Sequence, residues 1–159
     1  MHKGALGIGM GIAAATPAVA QQGGLDARTA QAIIAGCTAY ASSKQQSETI
    51  VVVDIGGKIV AAQRGDGNGS GTLDFALAKA QAAAAWGFST TDMATAVKRI
   101  PGFVNAPHIE TVGGGTPVWS ADGKVRIGAV GVAGEPEETD IACAEAGIRA
   151  AGLRPTANK

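Results

Sequence analysis

Apolar positions change period several times along the chain, and the changes mark its elements. Ile50-Val51-Val52-Val53 is a β-branched run suited to a buried strand. Asp54-Ile55-Gly56-Gly57-Lys58 reads as a tight turn, because glycine reaches positive φ without a Cβ clash, and a second strand follows from Ile59 to Gln63. Beyond Arg64, the stretch Gly65 to Gly71 is too glycine-rich for regular structure and leads to a helix start at Ser70 or Thr72. From Leu73 to Trp86 the spacing of Leu73, Ala76, Leu77, Ala80, Ala83 and Ala84 predicts a helix with one small apolar face, leaving Lys79 off that stripe, toward solvent or a pocket rim.

The flanks continue the pattern. Asp26 opens a helix running to about Ser42, with Ala30, Ile33, Ile34, Cys37 and Ala41 on its buried side. Thr91-Asp92 caps a short helix, Met93 to Lys98, ended by Ile100-Pro101-Gly102. His108 to Val112 reads as a short strand, Gly113-Gly114-Gly115 with Thr116-Pro117 as a turn, and Val118-Trp119 as a strand. Asp122-Gly123 signals a hairpin into the long strand Val125 to Ala133, and a last helix starts near Pro136, its first turn loaded with acids, and ends about Ala151. Hairpins join most strands, so the fold class expected is α+β, with a five-stranded antiparallel sheet flanked by helices.

Composition narrows the possibilities. At 159 residues the chain suits one domain. Formal charge is zero and the basic residues are scattered, so no footprint for nucleic acid or an anionic membrane surface appears. Met1 to Ala20 differs from the rest: a short basic start, an apolar stretch and Ala18-Val19-Ala20 read as a signal peptide cleaved before Gln21. Four glycines in the first eleven residues make the segment a poor helix, and it is too short to span a bilayer. The expectation is a 1–20 signal peptide, a single 21–159 domain with no membrane span after cleavage, and a periplasmic or secreted location. In an oxidising compartment Cys37 and Cys143 pair if their helices are neighbours; otherwise they are two small buried hydrophobes.

No serine–histidine–acid set or nucleotide-binding loop is present, since Gly65 to Gly71 lacks the Lys-Ser/Thr of a phosphate loop. Asp54, Arg64, Asp66 and Lys79 nevertheless surround one glycine-lined corner, with Gly65 and Gly67 at its bend. Arg64 with Lys79 would hold a small acid and Asp66 would move a proton, making Asp66 and Lys79 the catalytic candidates; the alternative is a salt-bridged corner that fixes the loop.

Val52-Val53-Asp54-Ile55-Gly56-Gly57, Arg64-Gly65-Asp66-Gly67, Ala78-Lys79-Ala80, Gly113-Gly114-Gly115-Thr116-Pro117 and the run Ile127 to Gly134 leading to Asp140 and Cys143-Ala144 together resemble the GlcG/HbpS-like family. The resemblance spans nearly all of the chain after residue 20. It implies a profilin-like fold, self-association into dimers or octamers, and in several members binding of haem or its iron outside the cell. Haem iron takes an axial His, Met, Tyr or Cys, which makes His108 and Tyr40 the candidate metal ligands. Glu135, Glu137, Glu138 and Asp140 suit loose ferric iron or, alternatively, only the electrostatics of a helix start. The resulting expectation is an exported haem- or iron-binding protein with ligand near His108, Gly114 and the corner at Arg64, Gly65 and Gly67. The alternative is an enzyme or accessory protein acting on a small oxygenated organic acid through Arg64, Asp66 and Lys79.

Overall fold

A computed structural model describes residues 24–158, so the expected signal peptide lies outside the described residues. The chain runs α1 (Ala27–Ser43), β1 (Thr49–Asp54), β2 (Ile59–Gln63), α2 (Ser70–Trp86), α3 (Thr90–Arg99), a 3-10 turn (Pro101–Asn105), β3 (Gly115–Trp119), β4 (Arg126–Ala133) and α4 (Glu137–Ala150). The strands form one antiparallel sheet in the order β2-β1-β4-β3.

The sheet has four strands where the sequence predicts five. His108 to Val112 does not pair, for local reasons. His108 sits at φ 57, outside the extended region, and the Glu110 carboxylate accepts from the backbone N–H groups of Thr111 and Val112, donors that a ladder would need. In compensation β3 reaches back to Gly115, through residues whose composition reads as a turn. Pro117 is tolerated there because β3 is an edge strand.

Two apolar layers sandwich the sheet. Ile50 and Val52 of β1 join Val130 and Val132 of β4 against α1 and α4, whereas Val51 and Val53 face α2 through Ala76, Ala80, Ala83 and Ala84. This is the two-residue alternation of a strand buried on both faces. α2 lies unusually close to the sheet, since a Cβ on Gly131 would strike the backbone oxygen of Ala76. The predicted inner face of α1 is the observed one: Ala30, Ile33, Ile34, Cys37 and Ala41 are all buried.

Across the other layer a disulfide joins Cys37 of α1 to Cys143 of α4, 106 residues apart in sequence. Gly147 lets α4 approach, for a Cβ there would collide with the carbonyl oxygen of Ile33. Among the described residues no helix is long and apolar enough to cross a membrane.

Candidate functional site

Three side chains from three parts of the fold meet at the amino end of β3. Lys79, on α2, is completely buried and does not reach solvent or a pocket rim. Its Nζ lies 2.7 Å from Asp140 Oδ2 on α4, donates to the carbonyl of Val132 at 2.9 Å, and stands 4.5 Å from the centre of the Phe75 ring. The lysine departs from the alanine stripe only to turn inward, along a passage that the triple glycine leaves open. Gly114, at φ 112, is what leaves room: a Cβ there would lie 2.9 Å from Asp140 Cβ and 3.1 Å from Lys79 Nζ.

Glu48, directly before β1, completes the group. It is 4% exposed, and both its carboxyl oxygens are buried without a hydrogen-bond partner. Burial first, and then the Asp140 carboxylate beside it, push its pKa up to about 8, against the opposing pull of Lys79. Burial also raises Asp140, opposed by its bonds to Lys79. A Glu48 carboxyl that holds its proton to about pH 8 spares the group a second buried negative charge beside the Asp140–Lys79 pair.

The glycine corner lies at the same end of β1 but on the molecular surface. A cavity of about 410 Å³ opens there, between the carboxyl end of α1 and the β2–α2 loop, and Arg64, Gly65 and Asp66 line it together with Thr38, Gln46 and Glu48. Gly67 is exposed beyond the bend at φ 82. The bend is pinned by Asn68, whose amide donates to the Ser47 carbonyl at 2.8 Å, and by Ser47 Oγ donating to the Asp66 carbonyl at 2.8 Å. Lys79 does not line this cavity, so the expected Arg64–Lys79 clamp does not form.

His108 lies at the opposite end of the sheet. It is exposed and lines a cleft of about 220 Å³ with Ile55, Lys58 and Gln81, beside the β1–β2 turn. β1 is six residues long, which separates the two ends by about 20 Å. Within one chain His108 is thus not brought to Arg64, Gly65 or Gly114. Tyr40 is elsewhere again, half-buried against the α1–α4 core. The segment carrying His108 is held to α2 by Trp86 Nε1, which donates to the Pro107 carbonyl at 2.9 Å. Trp86 also packs edge-on against Phe103, with ring centroids 5.0 Å apart.

Two of the acids around the start of α4 have different partners. Asp140 turns inward to Lys79, while Glu135 accepts from the Ser47 backbone N–H at 3.3 Å. Among the described residues no three His, Cys, Asp or Glu side chains are grouped to hold a metal ion.

Glu48 and Gln46 escaped the sequence reading. The available signal was register: two residues before Ile50, and four before Val52, a glutamate continues the inward-facing series of the first strand.

Comparison with known proteins adds a second line of observation. A family model described as haem degrading protein HbpS-like matches residues 25–149. A doubly substituted HbpS from Streptomyces reticuli has 27% sequence identity and a TM-score of 0.74, with 90% of this chain and 97% of that chain covered. A Klebsiella pneumoniae protein, ORFY, also has 27% identity and a TM-score of 0.74, over 86% of this chain and 97% of that one. The fold is shared as well by PduOC, solved as a haem complex, at 22% identity and a TM-score of 0.74, over 84% of this chain and 99% of that chain. No curated protein matches the chain significantly.

Proposed function

Since the chain belongs to the HbpS-like family of haem degrading proteins, we propose that it is an exported, self-associating haem-binding protein with His108 as the axial ligand. The observation that carries this reading is the family match over residues 25–149, which takes in every element of the fold from α1 to β4 and all but the last residue of α4.

The residues around His108 suit an iron porphyrin. An exposed imidazole offers a nitrogen lone pair, which is what haem iron takes from a protein. Ile55, 51% exposed in the same cleft, supplies an apolar face, and the Lys58 ammonium is placed to pair with a propionate carboxylate. Bound there, the iron centre would supply redox chemistry; the chain's own part is to ligate, orient and shield.

At about 220 Å³ the cleft falls below the size of ordinary small-molecule pockets, roughly 300–1,000 Å³. A second subunit covering the rest of the macrocycle fits that shortfall, and Ile59, 55% exposed on the edge strand β2, is one of the apolar groups available for such a contact. Export is supported by the Cys37–Cys143 disulfide, a bond that persists in oxidising compartments, and by the leader-like residues 1–20. Iron released from haem would find no preformed carboxylate site among the described residues, so the proposed cargo is the intact porphyrin.

Titration with haemin, followed at the Soret band, tests the proposal. Saturable binding with Kd in the micromolar range or below, about −8 kcal/mol, is expected, and binding weaker than about millimolar overturns it.

A further inference from the structure

Glu48 has no part in the haem reading, and its surroundings are those of a latch. Both its carboxyl oxygens are buried without a partner, although the residue lines the cavity that Arg64 and Asp66 also line. The carboxyl thus lies just behind a wall that faces water, and that wall is the β2–α2 loop.

The loop is fastened through the two neighbours of Glu48. Ser47 Oγ donates to the Asp66 carbonyl at 2.8 Å, and Asn68 Nδ2 donates to the Ser47 carbonyl at 2.8 Å and to Thr49 Oγ1 at 3.2 Å. The Gly65 N–H donates to Thr49 Oγ1 at 3.3 Å. Packing leaves no slack, since a Cβ on Gly65 would lie 2.6 Å from the Glu48 carbonyl oxygen and one on Gly134 3.2 Å from Glu48 Oε2.

Charge makes the enclosure conditional. On the inner side stand Asp140 of α4 and Glu135 of the β4–α4 turn, both acids, and Lys79 of α2, whose ammonium is already bonded to Asp140 and the Val132 carbonyl. On the cavity side Arg64 and Asp66 offset one another, and the α1 residues there, Thr38, Ala41 and Ser42, carry no charge. A protonated carboxyl fits this place, whereas an ionised one, with no donor on either oxygen, requires water. Water entering from the inner side would have to break a buried ion pair. Through the loop it displaces only neutral hydrogen bonds, each of small net worth.

We propose that the Glu48 carboxyl latches the β2–α2 loop: with its proton on, the loop closes over it, and with the proton lost, the loop lifts and lets water onto the carboxylate. The latch is independent of His108, about 20 Å away along β1, and stands or falls separately from haem binding. Linkage fixes its sign and window. Glu48 holds its proton to about 8 when enclosed, against 4.5 where water reaches it, so loop opening should grow about tenfold per pH unit between about pH 5 and 8 and level off above.

Amide hydrogen exchange of the intact protein, followed residue by residue from about pH 5 to 9, decides the matter. Hydroxide catalysis alone speeds exchange about tenfold per pH unit, so the Gly65 and Asn68 amides should accelerate about a hundredfold per unit up to about pH 8 and about tenfold above it. In Glu48→Gln, which has nothing to ionise, the same amides should accelerate about tenfold throughout. Wild-type loop amides that follow hydroxide alone would overturn the latch, whether or not the variant folds, and so would a variant as steep as the wild type. A steep rise confined to the slowest amides of β1 would overturn it too, because Glu48 would then be reporting global unfolding only.

Discussion

Removing one member of a buried ion pair strands the other in a medium that solvates it poorly. Lys79 and Asp140 have side chains only 1% and 3% exposed, so Lys79→Met should destabilise the protein by about 3–5 kcal/mol in urea unfolding. A loss under about 1 kcal/mol would mean that the pair is not closed in solution. Glu48 makes a pH-dependent contribution of definite sign. Its folded pKa, about 8, lies above the unfolded value of 4.5, so the folded state binds the proton more tightly. Its contribution is complete below pH 4.5, erodes as pH rises, and is gone above about 8. Glu48→Gln, which cannot ionise, should flatten the fall in denaturation midpoint between pH 6 and 9; an equally steep fall in the variant would assign it to other groups. None of this was evident from composition, because a lysine off an apolar stripe ordinarily points to water. Only the small residues at 113–115 open the passage, and their effect appears once β3 is placed beside α2.

The contacts between elements depend on missing side chains as much as on present ones. Gly131→Ala would drive a methyl group into the Ala76 carbonyl, and such overpacking should lower stability by about 1–3 kcal/mol, read as a lower urea midpoint. A midpoint equal to the wild type would show that α2 can move off the sheet at little cost. On the opposite layer the Cys37–Cys143 bond closes a loop of 106 residues, for which chain entropy gives about 4–5 kcal/mol, and the double alanine variant should lose a comparable amount. Detecting two free thiols in denatured, unreduced protein would contradict the bond.

Much of this scale was legible in the sequence. The five inward residues of α1, the β1–β2 and β3–β4 hairpins and the α2 stripe all follow from period and turn chemistry. The helix starts at Asp26, Ser70 and Pro136 were legible too, whereas α3 is capped by Ser89 where the sequence favours Thr91-Asp92. Strand count failed at His108–Val112, where a side-chain carboxylate took the N–H groups, a competition that residue propensity does not register.

At the scale of the molecule, β1 separates two regions with different chemistry. One end presents His108, Ile55 and Lys58 in a shallow cleft, and the other holds the Arg64 cavity above the Glu48–Asp140–Lys79 group. The sequence motifs appear as one set because the β1–β2 hairpin doubles back between them, and only the register of Ile50 with Gln63 reveals that the turn and the glycine corner are opposite extremes. The central claim, haem held through His108, is tested most directly by incubating wild type and His108→Ala with haemin, removing free haemin by gel filtration and recording the spectrum of the protein fraction. The account predicts a Soret band that travels with the wild type and is lost or shifted in His108→Ala. A wild-type fraction with no Soret absorbance, or a variant whose band matches the wild type in position and intensity, would contradict it.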